Sequence, residues 1–114
     1  MRIFLAITAS LLATTVHAQT PTSVEGATSD LESCLRANVS LDTAKADGAA
    51  AAAEAALGKC ETEVGKLDRA IARASKAAGK TVTQNKAATD AAHARILSDV
   101  EAFIARNLTQ ERGD

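Results

Sequence analysis

The sequence predicts an all-α protein: a short antiparallel three-helix bundle, in essence a helical hairpin with a coiled-coil-like seam, stapled by a disulfide. Three observations carry that expectation. Cys34 and Cys60 are the two cysteines of the chain and stand equidistant from Asp47, which Gly48 follows. Leu57, Cys60, Val64, Leu67, Ile71 and Ala74 recur at alternating spacings of three and four, the pattern of a helix that buries one stripe. Capping signals and glycines then cut the chain into segments of helical length.

The first element is not part of the fold. Arg2 gives a positive start, Ile3 to Val16 is apolar, and Val16-His17-Ala18 ends in the small residue that precedes a signal cleavage site. Residues 1–18 therefore read as a signal peptide, with the mature chain opening at Gln19. The apolar run is shorter than the roughly 20 residues that span a bilayer, and no later segment reaches that length without charges, so no transmembrane segment is expected. A lipid-anchored form would need a cysteine directly after the apolar run, whereas Cys34 follows Glu32-Ser33 well beyond it. The expected location is periplasmic or secreted, and the alanine-rich composition fits a bacterial source.

Residues 19–28 hold the single proline, Pro21, with Thr, Ser and Gly26, and are expected to form a flexible tail. A single helical domain then covers 29–109. Ser29-Asp30-Leu31-Glu32 matches the capping box, in which the serine oxygen accepts one free amide and the glutamate reaches back to another. It opens a first helix over Asp30 to about Ala46. Asp47-Gly48 supplies a turn, since glycine accepts positive φ and aspartate bonds its own backbone. A second helix is expected from Ala49 to Ala78, closed by Gly79. Thr81-Val82-Thr83-Gln84 is a second capping box and opens a third helix to about Leu108, with 110–114 as a charged, frayed tail. Extending the seam backward places Ala53, Ala50 and Ala46 on it, so one end of the second helix offers only methyl groups. Gly58 and Gly65 lie beside the seam; each marks either a close helix approach or, at Gly58, a break.

The cysteines test the turn. An unbroken helix between them would hold their Cα atoms roughly 39 Å apart at 1.5 Å per residue, and a disulfide needs about 5.5 Å. An internal bond thus demands a reversal near Asp47. A competing arrangement keeps the alanine run in one long helix and bridges two chains instead. A redox couple is a third reading, but its usual device, Cys-x-x-Cys at a helix start, is missing.

Composition narrows function. With the signal removed, Phe103 is the sole aromatic residue and His93 the sole histidine. Aromatic stacking platforms, zinc sites and most small-molecule pockets need more than that, so no metal, cofactor or nucleic-acid partner is expected. The charge is mixed, with a net −1 over the full chain and a slight acidic excess once Arg2 is gone, and gives no basic footprint. Asp90 and His93 are one turn apart and read as a solvated pair, since two ligands do not make a site. Ala74 to Thr81 resembles a phosphate loop with alanine for its first glycine; a glycine cap followed by a new helix start explains the same residues, and no strand precedes them. Arg112-Gly113-Asp114 matches an adhesion tripeptide by three residues alone. Asn38-Val39-Ser40 and Asn107-Leu108-Thr109 match glycan acceptors and are expected to be bare in a bacterial chain.

The leading functional expectation is therefore a non-enzymatic exported protein acting through protein–protein contact, with an unknown partner or self-association. Its candidate interaction face is Ile96, Val100, Phe103 and Ile104, which share one side of the third helix. The alternative lays the same residues on membrane lipid, against which the lack of flanking tryptophan or a basic stripe counts.

Overall fold

Ser23 opens the first helix: its hydroxyl accepts the Gly26 amide at 3.0 Å, satisfying one of the free donors of the first turn. In the computed structural model, which describes residues 22–111, helix α1 accordingly runs Val24–Asn38. This corrects the expected start at Asp30 and the expected tail to residue 28. Val24, Ala27, Leu31 and Leu35 fall on one side of the helix, and Ala27 is fully buried. Burying that stripe outweighs the turn-like composition of the segment. The Ser29–Glu32 box consequently lies inside α1 and caps nothing.

The expected first helix is in fact two. Val39 turns extended (φ −70°, ψ 136°), and Ser40 accepts the Thr43 amide at 3.1 Å to start α2, Leu41–Asp47. A β-branched residue followed by a good capping residue favours this break over continuation. Gly48 then adopts φ 101° and its amide bonds the Ala44 carbonyl at 2.9 Å, so the reversal falls where the cysteine spacing demanded it. The second expected helix is also broken, into α3, Ala49–Gly58, and α4, Glu61–Ala77, with Cys60 in the capping position of α4. The break follows Gly58, a poor helix former; an added Cβ there would meet nothing within 4 Å, so no neighbouring helix demands glycine at that position.

Both arms of the hairpin thus bend, and the bends lie beside the Cys34–Cys60 disulfide, whose Cα atoms are 6.1 Å apart. The bond is internal to the chain. Farther along, Arg73 donates to the Thr22 carbonyl at 2.9 Å, which sets α1 and α4 antiparallel.

Gly79, at φ 73°, closes α4. Its amide bonds Lys76 O at 3.1 Å and the Lys80 amide bonds Ser75 O at 2.9 Å, the paired bonds of a Schellman cap. Two residues later Thr81 and Gln84 cap α5, Val82–Glu111, reciprocally: Gln84 N donates to Thr81 Oγ1 at 3.1 Å and Thr81 N to Gln84 Oε1 at 2.9 Å. The helix-stop, helix-start reading of the phosphate-loop-like stretch is what the backbone adopts. Gln110 and Glu111 belong to α5 rather than to a frayed tail.

Leu31, Leu35, Cys60, Leu67, Ile96, Val100 and Ile104 are the largest fully buried side chains. Each contributes roughly 1.5–3 kcal/mol by leaving water, cysteine less. The seam is corrected in its outer parts. Ala46, Ala50 and Ala74 are exposed, while Ala56, Ala70 and Ser75 are buried. The break at Lys59–Cys60 resets the helical phase, so one heptad register cannot run through both halves. No helix among the described residues is long and apolar enough to cross a membrane. The expected signal peptide, 1–18, and the Arg112-Gly113-Asp114 tripeptide lie outside the described residues.

Candidate functional site

α4 and α5 form an antiparallel pair joined by the Gly79 turn, and α1 lies against both. Val24, the first residue of α1, lines the place where this third wall stops. There the pair presents mainly small side chains: Ala74 and Ser75 from α4 with Ala78 in its cap, and Ala88, Ala91 and Ala92 from α5. Methyl groups cannot fill the gap between two helix backbones once the third helix has ended. An open groove of about 600 Å³ results, a size that accommodates a small ligand.

Its floor and rim have distinct chemistry. Ile71 provides the one large aliphatic wall on α4, with Val24 beside it. Ser75 is 6% exposed, the single buried polar residue of the described core. Its hydroxyl makes no hydrogen bond among the described residues, unlike those of Thr89 and Thr109, which bond the carbonyl four residues back at 3.0 and 3.1 Å. Lys80 and Arg95 also line the groove, and neither joins an ion pair among the described residues. Among the described residues no carboxylate lines it.

The predicted interaction face is placed elsewhere. Ile96, Val100 and Ile104 are 1%, 0% and 0% exposed, and Phe103 is half-buried beneath the Arg36 guanidinium, 5.1 Å from the ring centroid. These residues are the α5 contribution to the core, so the monomer consumes the face that was expected to recruit a partner or enter lipid. The stripe is legible in the sequence, but its packing against α1 is not, because residues 24–28 of that helix carry a turn-like composition.

The remaining reactive groups are dispersed. His93 Nε2 lies 2.6 Å from Asp68 Oδ1, and Asp90 bonds Lys86 Nζ at 2.7 Å, so Asp90 and His93 each have another partner. The Cys34 and Cys60 sulfurs and a Glu63 carboxylate oxygen lie within 4.8 Å of one another. Both sulfurs are committed to the disulfide, which leaves one carboxylate where a metal would want three or four donors. Asn38 Nδ2 donates to the Cys34 carbonyl at 2.8 Å, with both sulfurs at 3.6 and 3.8 Å, and Asn107 Nδ2 donates to Phe103 O at 2.8 Å. Both glycan-acceptor nitrogens are therefore engaged with main chain.

The groove residues escaped the sequence reading. The signal was present as facing alanine runs, 74–78 and 87–92, on either side of Gly79. They imply two helices whose facing side chains, among the described residues, are too small to fill the space between them. Comparison with known protein families, with curated proteins and with solved structures finds no match to the chain.

Proposed function

We propose that this protein is exported and acts by contact rather than catalysis, with the α1–α4–α5 groove as its binding surface. The observation that carries the reading is the groove itself, an apolar recess with a buried serine and two cations at its edge. The contact expectation from sequence is kept and its location moves, from the α5 stripe to the Gly79 end of the bundle.

Two further features support the reading. The disulfide fits an oxidising compartment, in line with the signal-like residues 1–18. His93 is held by Asp68, and among the described residues no hydroxyl is hydrogen-bonded to it, so it lacks the nucleophile that a base of its kind would activate. The lipid-surface alternative is disfavoured because inserting Ile96, Val100 and Ile104 would require opening the core.

Amide spectra of the isotopically labelled mature protein, titrated with aqueous and lipid extracts of its own compartment, test this. Shifts confined to 71–80 and 88–95, and lost in an Ala88→Leu/Ala91→Leu variant that fills the groove, support it. Unchanged spectra, or shifts that the filled variant retains, sink it.

A further inference from the structure

Resting on the groove as the binding surface, we infer that its ligand is a free single-chain amphiphile with an anionic head, a carboxylate on an unbranched alkyl tail. Its head would sit against Lys80 and Ser75 and its tail along the α4–α5 alanines.

Three features select that chemistry. First, the walls are aliphatic and small, with no aromatic face, so planar ring ligands find nothing to stack on and a flexible alkyl chain makes the better contact. Second, the walls are helices whose backbone groups are already paired. An extended peptide would bury amides with no partners, at a cost that an alkyl chain does not incur. Third, the polar groups that line it among the described residues are two cations and one hydroxyl donor, with no carboxylate. Cationic amphiphiles are repelled, while a carboxylate is matched in charge and in hydrogen-bonding sense.

The head is assigned to the Gly79 end on the strength of Ser75. The Ser75 hydroxyl makes no hydrogen bond among the described residues and is free to donate to a ligand, and the Schellman bond from the Lys80 amide to Ser75 O holds the two residues side by side. The carbonyls at this end of α4 would oppose an anion, but the cap bonds occupy those of Ala74, Ser75 and Lys76, and the amino end of α5 lies across the same short turn. Arg95 lies at the far end: α5 rises about 10 Å between Ala88 and Arg95, and the tail runs toward it.

Calorimetric titration of the oxidised mature protein with monomeric dodecanoate, below its micelle threshold, tests the assignment against dodecanol, dodecyltrimethylammonium and phosphatidylglycerol vesicles. One-to-one binding of dodecanoate is expected. Lys80→Gln and Ser75→Ala should each weaken it, the former roughly tenfold as for loss of a charge-assisted contact. Ala88→Leu/Ala91→Leu, checked by circular dichroism to be folded, should abolish it. Equal affinity for all three dodecyl compounds would overturn the anionic head while leaving the groove as a binding surface. A larger loss from Arg95→Gln than from Lys80→Gln overturns the placement of the head. Binding to vesicles without binding of free dodecanoate overturns the free-amphiphile assignment. If no alkyl compound binds while extracts still shift the groove amides, the ligand class is wrong and the binding surface stands; if neither acts, both fall.

Discussion

Asp68 Oδ1 and His93 Nε2, 2.6 Å apart, tie α4 to α5 between the Gly79 turn and the buried Leu67 and Ile96. On the Gly79 side of the pair Ile71 is the last large apolar side chain of α4, and the residues that face each other beyond it are mostly alanines that line the groove. Asp68 and His93 are partly exposed, at 41% and 29%, so their attraction is screened by solvent. Asp68→Asn or His93→Ala is expected to destabilise the fold by no more than about 1 kcal/mol. The effect should be local: hydrogen exchange should rise along 71–78 and 85–92 before it rises in α1. Uniform acceleration across the chain would show that the pair does not guard this end.

The disulfide makes the larger contribution. Closing a loop with a sequence separation of 26 removes denatured-state entropy equivalent to roughly 3.5 kcal/mol on the chain-entropy model. In a core where six of the fourteen buried hydrophobic residues are alanine, this is a large share of total stability. Cys34→Ser/Cys60→Ser, or reduction with a dithiol, should lower the urea midpoint strongly while the molecular mass in solution stays that of a monomer. A wild-type chain that migrated as a covalent dimer without reductant would contradict the internal bond.

What could be read from sequence follows the physics of short and long range. The Gly48 reversal, the Gly79 stop and the Thr81–Gln84 start are local, set by φ and by side chains within a few residues, and all three are in the structure. The helix breaks at Val39 and Lys59 were missed or left open because a continuous alanine-rich sequence satisfies propensity equally well either way. Choosing the bent form requires knowing that Leu35 and Cys60 must reach the core together. The groove is harder still. Ala91 scores as a good helix former, and nothing within its own segment says that the third helix ends opposite it.

Four glycines separate propensity from necessity. Gly48 and Gly79 take φ of 101° and 73°, where a side chain is strained, and Gly79→Ala should cost on the order of 1–2 kcal/mol. Gly58 and Gly65 carry no such demand. A Cβ at Gly58 meets nothing within 4 Å, and at Gly65 it meets only the mobile end of Arg69, at 3.3 Å. Gly65→Ala should therefore raise stability by about 0.5–1 kcal/mol, equivalent to a few degrees in Tm for a domain of this size. Thermal unfolding of the single variants decides, and a Gly65→Ala variant less stable than wild type would expose a packing constraint at that site.

The carboxyl end of α5 is fastened by a pair of opposite kind, Lys45 with Glu111, both well exposed. The hydrogen bond to Glu111 is the main cause that raises the Lys45 pKa above its ordinary 10.5; the charge of Glu111 and then of Asp42 add to it, and desolvation opposes them. The folded state thus favours the protonated amine. The sign follows: the contribution is complete below the ordinary lysine value and disappears as pH rises through the higher folded value. Docking of the last turn of α5 onto α2 should be unaffected between pH 6 and 9, taking about one unit below the lysine range as the onset. It should loosen only in strongly alkaline solution, and salt should loosen it at neutral pH because exposed pairs are screened. Lys45→Met should speed amide exchange over 107–111 on the order of twofold at neutral pH and remove the alkaline dependence there. A variant that kept an alkaline transition in those amides would assign it to another group.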